Sequence, residues 1–222
     1  MRIMSLPTVT VLIPVLDRPQ NVARVVTSLR ETCPEAQVLF LTSPGYPAEA
    51  EAVRASGCAW IEVSPRRSGD YARKINIGVR ETTTDLVFMG ADDVRFGAGW
   101  FDVACSKLAP GVGVVGTNDL GSPRVMRGEH ATHSLVTREY CERGLIDGSP
   151  GVLFEGYEHE FCDDELVGTA KARGAWAFAQ DAIVEHLHPH WGKADSDAEY
   201  ERQRERMKIS RSLYQRRRHM WT

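Results

Sequence analysis

The chain has no Cys-x-x-Cys pair, and its five cysteines, Cys33, Cys58, Cys105, Cys141 and Cys162, are odd in number and widely scattered. That pattern argues against a disulfide framework and against a zinc knuckle, and it makes a reducing cytoplasm the expected location. No apolar run approaches the roughly 20 residues that a membrane-spanning helix needs. The opening Met1-Arg2-Ile3-Met4-Ser5-Leu6-Pro7 is too short and too soon interrupted to read as a signal peptide. No Gly-x-Gly-x-x-Gly follows the first apolar run, which counts against a dinucleotide-binding dehydrogenase. The turn found there, Leu16-Asp17-Arg18-Pro19, also lacks the Gly-rich phosphate loop a nucleotidyltransferase would need. Positive charge is not in excess either. The formal net charge is -3, so the molecule as a whole is not a generic polyanion binder. There is no internal repeat and no low-complexity tract.

What is present is an ordinary globular balance, 42% hydrophobic and 26% charged over 222 residues. This suits one large domain with a real core, with a small appendage at most. The first half alternates strand-like and helix-like segments. Thr8 to Leu16 is a β-rich apolar run ended by Asp17-Arg18-Pro19. Val22, Val25, Val26 and Leu29 then recur at helical spacing. Strands are predicted over 37–42, 59–63 and 86–89, helices over 48–56 and 70–81, and a basic loop over 65–69. Strands apolar on both faces and separated by helices imply a parallel sheet covered on both sides, with ligands beyond the carboxyl ends of the strands. The second half is less regular. It offers a strand over 112–115, a loop over 118–133, a helix over 162–173, a late strand over 182–186 and a charged helix over 197–218.

Four constellations could carry chemistry. Gly90-Ala91-Asp92-Asp93 sets two carboxylates just after a buried strand. They read either as ligands for a hard divalent cation with its diphosphate or as an Asp-rich turn or helix cap. Glu160 to Leu166 is acidic. It reads either as a helix start favoured by the macrodipole or as the source of a general base. His186, His188 and His190 alternate, which on an extended chain puts them on one face, as metal ligands or as a His-rich turn. The arginine-rich segment from Arg202 to Arg218, with Tyr214 and Trp221 nearby, reads as a solvated helix face or as a contact for phosphate-rich partners.

Taken in order, these pieces resemble the family 2 glycosyltransferases of the GT-A fold over residues 8 to 192. Val11 to Pro19 is similar to the family's first strand and its I-P-x-y-N-R-P turn. Ile75-Asn76-Ile77-Gly78 resembles its N-x-G step, Leu86 to Asp93 the strand that delivers D-x-D, and Cys162 to Leu166 the E-D-x-E-L segment. His186 or His188 sits where the family often has a metal-binding histidine. The resemblance implies a GT-A (Rossmann-like) domain over 1–192, with a mostly parallel central sheet and helices on both faces, followed by a helical tail over 193–222. It implies metal-dependent inverting transfer from a nucleotide-sugar donor to an acceptor hydroxyl. Mn²⁺ or Mg²⁺ would lie on Asp92, Asp93, His186 and His188, with the donor against Pro14, Leu16, Arg18, Arg73, Lys74 and Asp92, and Asp163 as catalytic base. Three departures stand out: Gly90 replaces the first Asp of D-x-D, Thr42-Ser43-Pro44-Gly45 replaces the family's D-D-G-S, and Cys162 replaces the Glu of E-D. The rival readings are a nucleotidyltransferase and a noncatalytic nucleotide or nucleic-acid binding module. Nucleic acid is an acceptor candidate through the basic tail.

Overall fold

Nearly every residue from Thr8 to Leu16 is apolar or β-branched, and strand β1 (Val9–Pro14) is buried along its whole length. The computed structural model describes residues 7–65, 70–157 and 159–222, without the side chains of 199 and 203–205. The opening segment 1–6, nearly all of the basic loop predicted over 65–69, and the Arg204 side chain lie outside the described residues. After β1 come α1 (Pro19–Thr32), β2 (Gln37–Thr42), α2 (Pro47–Ala55), β3 (Ala59–Glu62), α3 (Tyr71–Arg80), β4 (Leu86–Met89), β5 (Val94–Phe96), α4 (Trp100–Cys105) and β6 (Val114–Asn118). Then follow α5 (Pro123–Met126), β7 (Ser134–Thr137), α6 (Arg138–Glu142), α7 (Cys162–Ala172), β8 (Trp176–His186) and α8 (Ala198–Arg217). Helices α1 and α2 both begin on a proline, whose fixed φ and missing N–H suit a first helical turn.

The strands form one sheet in the order β3-β2-β1-β4-β7-β6-β8-β5. Alternate residues of a strand face opposite sides, and both sides are filled. Val11 and Ile13 of β1 and Phe88 of β4 join one apolar cluster with α1 and α4. Leu12, Val87 and Met89 join a second with α3 and α7. Gly78 lets α3 lie directly on β1, because a Cβ there would stand 2.7 Å from the Leu12 side chain.

The sheet is mixed, which corrects the mostly parallel sheet expected from the strand–helix alternation. Strands β3, β2, β1 and β4 are parallel, but β7 runs antiparallel to both β4 and β6, and β5 is antiparallel to β8. The alternation of apolar strands with long helices stops after β4. The connection from β6 to β7 holds no helix longer than the four-residue α5, and β7 returns antiparallel beside β6. Asn76, from the N-x-G step, has a structural use. Its side chain donates to the Leu153 carbonyl (2.8 Å) and accepts from the Val152 and Leu153 amides (3.0 and 3.1 Å), pinning the 151–155 loop to α3.

Helix α8 crosses back over this framework and is moored at its far end to α7. Arg217 is buried, donating to Glu165 (2.7 and 2.9 Å) and Asp147 (3.0 Å), with its guanidinium 3.5 Å from the centre of the Phe154 ring. Tyr214 stacks on Phe161 at 5.0 Å. Trp221 packs so closely on Gly168 that a Cβ there would lie 2.3 Å away. Removing one partner of a buried pair leaves the other charge without compensation. Arg217→Ala should therefore lower unfolding free energy by about 3 kcal/mol in urea titration; an unchanged midpoint would mean the pair contributes nothing to the mooring.

Candidate functional site

In sheets of this kind the strand ends are where side chains can converge without breaking the backbone ladder. A cavity of about 400 Å³ opens there. Pro14, Val15 and Leu16 enter it from the end of β1, Ala91, Asp92 and Asp93 from the end of β4, and Asp163 from the start of α7. Because β7 runs antiparallel, its beginning lies at this same edge and brings in Thr132 and His133. His186 is delivered by sheet register: antiparallel pairing of β5 with β8 sets Val94 opposite His186, and the Leu187 amide donates to the Asp93 carbonyl at 2.8 Å. Helix α8 supplies Tyr200, Arg206, Met207 and Arg211 as the remaining wall.

Asp92 and Asp93 are each about 5% exposed, which would be costly for adjacent anions without positive partners. Arg18 Nη1 lies 3.7 Å from Asp92 and 3.6 Å from Asp93. Asp93 Oδ2 also receives the Tyr200 hydroxyl at 2.7 Å and faces His186 Nε2 at 3.3 Å. Burial, with Asp93 alongside, pushes the Asp92 carboxyl up to about 7, against the pull of Arg18 and a bond from Asn21. Burial acts the same way on Asp93, but His186, Tyr200 and Arg18 together outweigh it and hold that group well below the usual carboxylate range. His186 answers in kind: burial would lower it, and Asp93 more than reverses this, raising it. His133 lies 5.1 Å from His186, ring centre to ring centre. Burial and that neighbouring imidazole lower it to about 4, so it is neutral at physiological pH.

The acidic segment at the start of α7 forms the opposite side. Asp163 Oδ2 lies 3.2 Å from His130 Nε2, and its Oδ1 accepts the Asp164 amide at 3.0 Å. Burial alone would raise Asp163. The contact with His130 more than offsets it, so the group is lowered and stays ionised. Asp164 is raised by burial and by Asp163, and it is partnered by Arg124 at 2.9 Å. His130, Asp163 and Asp164 are also close enough to hold a cation; His130 Nε2 is engaged by Asp163 and Asp164 by Arg124, while His130 Nδ1 is buried without a hydrogen-bond partner.

Of the residues predicted from sequence, Pro14, Leu16, Arg18, Lys74, Asp92, Asp93, Asp163, His186 and His188 all line this one cavity. Lys74 is buried and donates to the Val15 carbonyl at 2.6 Å, bracing the end of β1. Arg73 does not line the cavity; it donates to the Ser64 carbonyl and pairs with Asp70 at 3.6 Å. His190 leaves the face of His186 and His188, because Pro189 starts a single tight helical turn that ends the extended run. Sequence reasoning missed His130, His133 and Tyr200, and also Tyr71, which lines the cavity and donates its hydroxyl to the Gly90 carbonyl at 3.1 Å. Only the reading of 118–133 as a loop near the site pointed toward the first two. Gly90 has a steric reason: a Cβ there would stand 3.1 Å from the Leu12 carbonyl oxygen, so this position faces β1 rather than open space. Within the basic tail Arg206 and Arg217 are buried in the fold, while Arg202, Lys208, Arg211, Arg216 and Arg218 are exposed.

No family model matches the sequence, and no curated protein does. Solved structures do. One is a mannosyltransferase from Pyrobaculum calidifontis in complex with GDP-Man and Mn²⁺, at 18% identity and TM-score 0.67, covering 93% of this chain and 62% of that one. Another is glucosyl-3-phosphoglycerate synthase from Mycobacterium tuberculosis with Mn²⁺, UDP and phosphoglyceric acid, at 16% identity and TM-score 0.61, covering 95% of this chain and 78% of that one. The chain has the GT-A glycosyltransferase fold. It spans less than two thirds of the length of the mannosyltransferase. Among the described residues, no helix is long and apolar enough to cross a membrane.

In this GT-A cavity the oxygens of Asp92 and Asp93 with the imidazole of His186 or His188 make a donor set that suits Mn²⁺, and Mg²⁺ through the carboxylates. Metal ligation needs an ionised carboxylate and a neutral imidazole. Burial pushes Asp92 up to about 7, so it releases its proton as pH rises through neutrality; His186 is raised by Asp93 and must likewise give up its proton before it can ligate. Mn²⁺ affinity should therefore increase by about tenfold or more between about pH 6 and pH 8 in a calorimetric titration. An affinity independent of pH over that range would exclude Asp92 as a ligand.

Proposed function

We propose that the chain is a metal-dependent, inverting glycosyltransferase similar to family 2, moving a sugar from a nucleotide-sugar donor to an acceptor hydroxyl. The observation that carries this reading is that the buried Asp92–Asp93 pair and the ionised Asp163 face one cavity at the strand ends of a GT-A sheet. Solved proteins of the same fold, at 15–18% identity, are complexes with Mn²⁺ and with GDP-Man or UDP-glucose. The free state of all five cysteines accords with a cytoplasmic location.

In this reading Asp92, Asp93 and a histidine, His186 or His188, would hold Mn²⁺ or Mg²⁺. Bound there, the cation would act as a Lewis acid on the diphosphate leaving group. Pro14 and Leu16 form the apolar floor for the nucleoside, and Arg18 is the nearest cation for the phosphates, with Lys74 bracing the loop between them. Asp163 takes the proton of the acceptor hydroxyl as that oxygen attacks the anomeric carbon from the face opposite the leaving group. The bond from the anomeric carbon to the diphosphate oxygen breaks, and its electron pair leaves with the nucleoside diphosphate. His130, through its contact with Asp163 Oδ2, keeps the base ionised and fixes its direction. Inversion follows from a single displacement, in which no carboxylate attacks the sugar.

Transfer or hydrolysis of UDP-glucose and GDP-mannose with Mn²⁺ tests the reading. Asp163→Asn should lower turnover by about a hundredfold or more, while Mn²⁺-dependent nucleotide affinity stays within about twofold. Normal turnover in that variant would remove Asp163 from the base role.

A further inference from the structure

Helix α8 enters the cavity at the point where a donor would be gripped, and its contacts there are those of a ligand. Arg18 presents Nε and Nη2, the bidentate edge with which a guanidinium takes a phosphate or carboxylate, to Asp197 at 2.8 and 3.1 Å. The Tyr200 ring covers the guanidinium face at 3.8 Å. The Tyr200 hydroxyl donates at 2.7 Å to Asp93 Oδ2, the oxygen that His186 also approaches. Neither the arginine edge nor that carboxylate oxygen can accept a new partner until these contacts break.

The two ends of α8 are held differently. The far end is fixed to α7 by Arg217 on Glu165, Tyr214 on Phe161 and Trp221 on Gly168. The near end is fixed by Asp197 and Tyr200 on Arg18 and Asp93, together with an edge contact of Tyr200 with His188 at 4.5 Å. A helix moored at one end and tied at the other by polar groups that a diphosphate and a cation would compete for can release its near end while staying attached.

We propose that the near end of α8 is an autoinhibitory latch, in which the Asp197 carboxylate stands in for a donor phosphate on Arg18 and the Tyr200 hydroxyl occupies the cation-facing oxygen of Asp93. The proposal rests on the donor-site reading given above. Donor and cation displace both groups, and α8 swings on its mooring at Glu165, Phe161 and Gly168. Donor affinity is then set partly by the stability of the Asp197–Arg18 and Tyr200–Asp93 contacts that donor and cation must break.

The test is calorimetric binding of UDP and of GDP, each with Mn²⁺, to the full chain and to Asp197→Asn and Tyr200→Phe. Asparagine keeps the helix cap that Asp197 makes to the Tyr200 amide, and phenylalanine keeps the ring over Arg18, so both variants retain the helix; matching thermal melts check this. Each should bind nucleotide about tenfold more tightly than the unaltered chain. In the unaltered chain, amide exchange over residues 198–202 should quicken when Mn²⁺ and nucleotide are added. Equal or weaker nucleotide binding by the variants, or slower exchange on ligand addition, would overturn the latch and leave the donor site standing. Absence of nucleotide binding in all three forms would overturn both.

Discussion

Two adjacent carboxylates buried at a strand end are the constraint around which this molecule is arranged. Asp92 and Asp93 cannot both be ionised out of water unless positive charge and hydrogen bonds reach them. The fold meets that demand from three separate regions of the chain. Arg18 comes from the turn after β1, Asn21 from α1, His186 from the β5–β8 register and Tyr200 from α8. Each is placed by ordinary packing or pairing, and their convergence makes the cavity polar on one wall and apolar on the floor. The result is asymmetric: Asp93 collects the donors and stays ionised, while Asp92 is left near neutrality. An incoming cation would meet one ready ligand and one that must first lose a proton.

The opposite wall repeats the theme with a different outcome. Asp163 is only half-buried, its side-chain partner is a single histidine on a loop, and the pair leaves the carboxylate ionised beside open volume. A carboxylate compensated this way is suited to accept a proton. A pair locked by Arg18 and Tyr200 is suited to wait for a cation. The division of labour between the two acidic clusters thus follows from who their neighbours are, although both would look alike as runs of Asp.

Much of the first half was legible in the sequence. Apolar runs at Thr8–Leu16, Gln37–Thr42 and Leu86–Met89 match β1, β2 and β4 within a residue or two, because strands buried on both faces leave little room for polar residues. The same clarity placed Asp92 and Asp93 at a strand end. Beyond β4 the pattern no longer specified direction: Ser134–Thr137 is too short to announce that it inserts antiparallel between β4 and β6. Arg73 could not be told from Lys74 by spacing, since adjacent helix positions point about 100° apart and only packing decides which faces the cavity. Tyr200 was the least visible. It lies in a stretch dominated by charge, and its partner Asp93 is 107 residues away.

The central claim is that Asp92 and Asp93 form the cation and donor-phosphate end of a nucleotide-sugar site. The most direct measurement is UDP and GDP binding with and without Mn²⁺, for the unaltered chain and for Asp93→Ala. The account predicts that Mn²⁺ strengthens nucleotide binding by about tenfold or more in the unaltered chain and that this gain disappears in Asp93→Ala. A gain from Mn²⁺ of equal size in both proteins would contradict it.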